Sequence, residues 1–284
     1  MKFGLMYANT GRFSRPAGLT RLAQAAESAG IESLWTVEHV AVPIGYESKY
    51  PYSGDGKMPG RDNAPIPDPL VWLAYAAAVT RTIKLATGIL ILPQRHPIYT
   101  AKELATLDVL SEGRLIAGIG IGWLEEEFEA LDIPFKQRAA RTEECARALR
   151  QLWSPDSKPF EGQFYSWNAI ESRPKPVQPG GVPLVVGGHV EGAARRAARV
   201  GDGFFPAAGD LPALFAALRD ECARIGRDPD EVELTTGVPI RSVDDVKRMQ
   251  DLGVSRMIIP PPTYDLDALD AGFDKLHDDI ISRL

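Results

Sequence analysis

Residues 84–123, KLATGILILPQRHPIYTAKELATLDVLSEGRLIAGIGIGW, constrain the fold of this chain more than any other stretch. IKLATGILI (83–91) and RLIAGIGIG (114–122) are apolar or small almost throughout, with no polar alternation. Strands of that kind are buried on both faces, as in a parallel sheet covered by helices. Between them IYTAKELATLDVL (98–110) places Ile98, Ala101, Leu104, Leu107 and Val109 on an inward helix face. The stretch reads as strand, helix, parallel strand with a right-handed crossover. Each strand opens into a loop of unusual content, PQRHP after the first and GIGW after the second.

The unit repeats along the chain. Strands are expected at Phe3–Tyr7, Ser33–Glu38, Lys84–Leu90, Arg114–Ile121, 183–187, Gly203–Ala207, 232–240 and 256–260. Helices are expected at Pro16–Ala29, Pro69–Thr80, 98–110, a pair broken near Pro134 (124–133 and Gln137–Trp153), Glu191–Val200, Leu211–Ile225, Val243–Leu252 and Leu266–Leu284. Eight strands, each followed by helix, in 284 residues fit an α/β (β/α)8 TIM barrel as one domain over 1–284. A doubly wound open sheet is the structural alternative. Two inserted segments interrupt the alternation. Residues 43–69 are rich in Pro, Gly, Tyr and Asp, as in a lid or binding loop. Residues 154–182 contain FEGQFYSWNAI, which reads as a small hairpin.

Thirty-two Lys and Arg against 38 Asp and Glu give a net charge of −6, which argues against a general nucleic-acid surface. Cys145 and Cys222 fall in separate expected helices with no disulfide or zinc spacing, so a reducing, cytoplasmic setting is expected. The N-terminus MKFGLMYAN reads as a first strand rather than a signal peptide, and no apolar run approaches the ~20 residues of a membrane span.

In a barrel, function sits at the C-terminal strand ends. His39 ends strand two, where an imidazole can exchange a proton near neutrality or pair with Glu38. Histidines 39, 96, 189 and 277 are isolated, so no metal site is expected. Arg95 follows strand three and suits a phosphate or carboxylate in the substrate pocket, or faces water. Gly118, Gly120 and Gly122 lack the offsets of a dinucleotide fingerprint; side-chain-free positions there leave room for a flat ligand, with Trp123 as a wall or a packing residue. Glu125, Glu126 and Glu127 suit the first helical turn for capping alone. Gly187 and Gly188 lead into a helix N-terminus, a natural phosphate site to which His189 adds a donor. Asn9 ends strand one and bonds a ligand amide or only backbone. Tyr46, Tyr50 and Tyr52 are placed to cover an apolar substrate.

SLWTVEHV, the whole 84–123 stretch, EEEFEALDIPF with Arg138, LW followed by FEGQFY, and RPKPVQPGGVPLVVGGH with ARRAARVGDGFFP occur in one order over about 33–206. This set resembles the bacterial luciferase-like oxidoreductases, specifically their deazaflavin (coenzyme F420)-dependent branch. The resemblance implies a TIM barrel, a homodimer and a small-molecule substrate. It implies a cofactor ring against a strand-three bulge formed by Thr87, Gly88 and Ile89, with a non-proline cis peptide near Gly88–Ile89. It places the cofactor phosphate at Gly187 and Gly188 and His39 beside the reacting carbon as the catalytic group; Asn9, Gly120 and His189 join the cofactor candidates by their own places at the strand ends. Arg95, Trp123 and Tyr46 would border the substrate. Deazaflavin-dependent sugar dehydrogenases carry a glutamate directly after the strand-four glycines, where this chain has Trp123. An F420-dependent hydride transfer is the expected activity. The alternatives are an FMN-dependent monooxygenase supplied by a separate reductase, and a catalytically inactive flavin-binding or structural barrel.

Overall fold

The computed structural model describes residues 1–60 and 62–284; Arg61, inside the 43–69 loop, lies outside them. The strands are β1 (Lys2–Leu5), β2 (Ser33–Thr36), β3 (Lys84–Thr87), β4 (Leu90–Ile91), β5 (Leu115–Gly120), β6 (Phe160–Glu161), β7 (Ser166–Trp167), β8 (Leu184–Gly187), β9 (Gly203–Phe205), β10 (Glu233–Thr236) and β11 (Arg256–Ile259). β1, β2, β3, β5, β8, β9, β10 and β11 pair in parallel in that order, and β11 returns to β1 with Lys2 opposite Arg256. The sheet is therefore a closed eight-stranded barrel, and the open-sheet alternative falls. β4 continues the third strand beyond a break and pairs with β5. β6 and β7 form the antiparallel hairpin expected in the 154–182 segment.

The helices are α1 (Pro16–Ser28), α2 (Pro69–Val79), α3 (Pro97–Leu110), α4 (Glu125–Ala130), α5 (Arg138–Trp153), α6 (Glu191–Val200), α7 (Leu211–Ile225), α8 (Val243–Asp251) and α9 (Leu269–Asp279). Their ends follow local chemistry. The Asp68 carboxylate accepts the N–H groups of Leu70 and Val71, with Pro69 opening α2. Ser242 and Asp245 form a reciprocal capping box on α8. Among the described residues, no helix is long and apolar enough to cross a membrane.

Two cores result. Trp35, Ala86, Ile116, Val185, Phe205 and Ile258 fill the barrel interior. A larger apolar layer joins the outer strand faces to the helices. Four expectations need correction. The third strand is not continuous to Leu90, because the Gly88–Ile89 peptide is cis and interrupts it. The seventh barrel strand ends at Thr236 rather than at residue 240, and the last helix ends at Asp279 with a 3-10 turn beyond. Val109 is 37% exposed. Its place on the inner face of α3 is taken by buried Asp108, which accepts bonds from the N–H groups of Val177 and Gln178 and from the Gln178 amide.

Glu27, on α1, ties that helix to the entry of β3. One carboxylate oxygen accepts the N–H groups of Arg81, Thr82 and Ile83 at 2.6–3.0 Å and the Thr82 hydroxyl. Burial alone would raise this carboxyl, but the four donors outweigh it and hold it at about 2. Its stabilisation is present above the unfolded value of about 4.3 and is lost as pH falls through about 2. Glu27→Gln should cost about 1–2 kcal/mol at pH 7, with the deficit shrinking between about pH 4 and pH 2, read as urea midpoints.

Candidate active site

The C-terminal strand ends converge on the expected rim, but several side chains there have partners that the sequence conceals. His39, just beyond β2, lies with Nδ1 3.0 Å from Oε2 of Glu127 on α4. Glu127 is completely buried. Its other oxygen accepts the N–H groups of Val40 and Ala41 at 2.6 and 3.1 Å. One carboxylate therefore holds three consecutive residues of the rim. Next to it, Glu126 accepts the N–H groups of Glu47 and Ser48; burial works against this charge, but the donors hold the carboxyl at about 2. These glutamates do more than favour a helix N-terminus: they pin the start of the 43–69 loop.

That loop folds over the mouth as an arc of aromatic rings. Trp123 meets His39, Tyr46 and Tyr50 edge to face at centroid separations of 5.7, 5.5 and 5.2 Å. Tyr50 continues to Tyr52 at 5.4 Å, and the Tyr52 hydroxyl reaches His189 Nδ1 at 3.2 Å. Tyr7, after β1, lies beside Tyr50 and Tyr52. Burial pushes all three phenols, Tyr7, Tyr50 and Tyr52, above their ordinary value, so they stand as neutral hydrogen-bonding groups. Tyr46 is buried against Trp123 and its hydroxyl accepts the Met58 N–H, so it acts as the loop's internal anchor.

At the third strand, Ile89 follows the cis peptide and sits in a slot made by glycines. A Cβ on Gly120 would come within 2.6 Å of Ile89 Cδ1, and one on Gly187 within 2.6 Å of Ile89 Cγ2. The glycines thus make room for Ile89, and a ligand at the mouth meets that side chain rather than their bare backbone. The cis bond lies where the resemblance implied it. Beyond Gly187, Gly188 has φ of 138°, and a Cβ there would lie 2.6 Å from the Ala193 Cβ. The turn packs tightly onto α6, whose N-cap Val190 offers no side-chain acceptor. The first N–H groups of α6 are left for solvent or an anion.

Three expected ligand groups are turned elsewhere. Asn9 is fully buried; its amide donates to the carbonyls of Val37 and Pro67 and accepts the Val37 N–H, a clasp between loops. The Thr87 hydroxyl donates to the Gly118 carbonyl across the barrel wall at 2.7 Å. Arg95 does not reach into the mouth as a free cation: its guanidinium bonds Glu38 through Nε and Nη2, Asp68 at 3.2 Å and Glu103 at 3.3 Å. Burial works against its charge, and the carboxylates, Glu38 foremost, outweigh it and raise the group further. Glu38 also accepts the Ile91 N–H, which ties the ends of β2 and β4 together. Glu38 was therefore not the partner of His39, although the two are adjacent in sequence.

The family model for luciferase-like monooxygenases matches residues 1–280. The chain belongs to the luciferase-like family. An uncharacterized protein of Mycobacterium tuberculosis (strain ATCC 25618 / H37Rv) is 35% identical over 245 residues, covering 84% of this chain and 83% of that protein. The F420-dependent glucose-6-phosphate dehydrogenase of Kineococcus radiotolerans is 31% identical over 240 residues, covering 81% of this chain and 65% of the enzyme. Among solved structures, an F420-dependent secondary alcohol dehydrogenase in complex with an F420–acetone adduct superposes with a TM-score of 0.78 at 18% identity, covering 99% of this chain and 98% of that one. The luciferase-like family comprises oxidoreductases and monooxygenases that work on small molecules with a flavin or deazaflavin.

In the sequence Glu127 carries only a capping role and Glu38 only His39 as a partner, and Tyr7 carries no role at the site. A buried acid on a short helix gives no periodic signal, and the partners of Glu127 lie 86 to 88 positions away.

Proposed function

We propose that this chain is an F420-dependent oxidoreductase acting on a small organic substrate. The observation that carries the reading is the Gly187–Gly188 turn into the uncapped N-terminus of α6, beside Ile89 of the cis Gly88–Ile89 peptide. The residues fit the group. The first N–H groups of α6, uncapped by Val190, suit the cofactor phosphate, and Ile89 on its glycine slot offers an apolar face to a ring. His189 adds a donor at the phosphate side. When bound, the deazaflavin supplies the two-electron chemistry.

The chain's own residues bind, orient and shield. His39 presents Nε2 to the substrate oxygen and exchanges a proton there. Trp123, Tyr50 and Tyr52 exclude water from the mouth. The 31% identity to a protein named for F420 dependence favours the deazaflavin over FMN. Trp123 at the position of the sugar dehydrogenases' glutamate, and the commitment of Arg95 to three carboxylates, weigh against a phosphorylated sugar as substrate.

Fluorescence titration of the purified chain with F420 and with FMN tests the cofactor. Tighter F420 binding is expected; tighter FMN binding favours the monooxygenase reading, and binding of neither favours an inactive barrel. Gly188→Ala, which puts a Cβ against Ala193 in a left-handed conformation, should weaken cofactor binding about tenfold, or ~1.4 kcal/mol.

We also infer a homodimer. α2 is apolar on all sides, and such a helix is ordinarily buried all round. Yet Val71 is 72% exposed and Tyr75 47% exposed in the single chain. A second copy would cover them. Val71→Glu with Tyr75→Glu should give a monomer by light scattering, against a dimer for the parent.

A further inference from the structure

We propose that Glu127 is the positioning residue that fixes His39 as its Nδ1–H tautomer, leaving Nε2 as an open proton acceptor toward the mouth. The assignment stands on the geometry of two side chains. Its consequence for turnover rests on the oxidoreductase reading above.

The Glu127 carboxylate faces donors on both oxygens. Oε1 takes the N–H groups of Val40 and Ala41, which can only donate. Oε2 is left for His39 Nδ1 at 3.0 Å. One proton is shared across that contact when the imidazole is neutral. An ionised carboxylate can only accept, so the one ring proton belongs on Nδ1 and Oε2 accepts it. The second nitrogen, Nε2, then carries the lone pair. A histidine's ring is set by the partner of its other nitrogen, and here that partner is itself immobilised by the backbone of the two residues that follow the histidine. The clamp is local and self-consistent: the chain segment that carries the imidazole also donates the N–H groups that hold the acid. Trp123, edge to face with the ring at 5.7 Å, restrains its other side.

Glu127→Gln separates this role from simple support. The glutamine keeps the size of the acid, and its oxygen still accepts the N–H groups of Val40 and Ala41. Its amide nitrogen then faces His39 and donates, so Nδ1 must become the acceptor and the proton must move to Nε2. With only four histidines in the chain, the ring nitrogens can be assigned in 15N-histidine-labelled protein by comparison with a His39→Gln sample.

At a pH where His39 is neutral, the parent should show the Nδ1–H tautomer and Glu127→Gln the Nε2–H tautomer, with an unchanged thermal midpoint. With F420 and a substrate that the parent turns over, kcat should fall on the order of 10²–10⁴-fold while KM stays near the parent value. A parent ring protonated at Nε2 overturns the proposal, as does a variant that retains Nδ1–H. A shifted tautomer with unchanged kcat overturns the positioning role. If Glu127→Gln does not fold, the parent spectrum still decides, since the proposal requires Nδ1–H there. The tautomers are read without cofactor, so failure to bind F420 would remove the proposed function and leave this assignment to stand or fall by itself.

Discussion

Replacing His39 with alanine is expected to lower turnover on the order of 10²–10⁴-fold, the usual contribution of a positioned acid–base group, with cofactor affinity nearly unchanged. The expectation follows from where the side chain sits. Its Nδ1 is engaged by a buried carboxylate, its ring is flanked by Trp123, and it is mostly shielded from water. None of these contacts involves the Gly187–Gly188 turn at which the cofactor phosphate is proposed to bind. A loss confined to kcat at constant cofactor affinity identifies an interaction made in the transition state. An equal loss in cofactor binding would mean that His39 shapes the pocket, and unchanged turnover would remove it from the reaction. The alanine also leaves one oxygen of Glu127 without its partner, so a thermal melt must accompany the kinetics. Val40 and Ala41 still satisfy the other oxygen, which limits the structural damage.

The barrel was legible in the sequence because its signals are local and repeated. Continuous apolar strands, single helical stripes, and glycine or proline at the junctions each restate the same period. The departures come from contacts between distant residues. Val109 looked inward by spacing, yet Asp108 holds that place because it meets residues 177 and 178 of the inserted segment. Gly120 reads as leaving room for a flat ligand, and the room it leaves is taken by Ile89, 2.6 Å from where a Cβ would sit. Arg95 looked free because none of the sequence around PQRHP announces that Glu38, Asp68 and Glu103 surround it. At the rim, short-range logic paired His39 with the adjacent Glu38. Residues successive at a strand end point to opposite sides, so the two face different partners: Glu38 turns to Arg95 and His39 to Glu127.

The opposite end of the barrel carries the largest expected effect on stability. Arg256, 1% exposed, opens β11 and reaches across the floor. Its Nε and Nη2 pair with both oxygens of Glu32 at 2.9 and 2.8 Å, and its Nη1 bonds Glu233 at 2.6 Å. Glu32 precedes β2 and Glu233 opens β10, so one guanidinium ties three strands at their entry. Burial alone would raise both carboxyls, but Arg256 overrides it and holds them below their ordinary value. Arg256→Met keeps a long apolar stem and removes the charge together with its hydrogen bonds to Glu32 and Glu233. It leaves two carboxylates facing a site built for a cation, a loss usually worth ~3–5 kcal/mol. The low end, about 3 kcal/mol, is expected here, because both acids partly reach water and Glu233 retains Lys2. The sign with pH is fixed by the depressed carboxyls. The stabilisation they bring to the parent is present above the unfolded value of about 4.3 and is lost as pH falls through their lower folded values. In the variant the same acids are desolvated without compensation, so protonation relieves them. The gap between parent and variant should therefore be widest at pH 7 and close below about pH 4, measured as urea midpoints at both pH values. A gap below about 1 kcal/mol at pH 7, the ceiling for an exposed pair, would mean that the floor is held by packing around Trp35 and not by this cation.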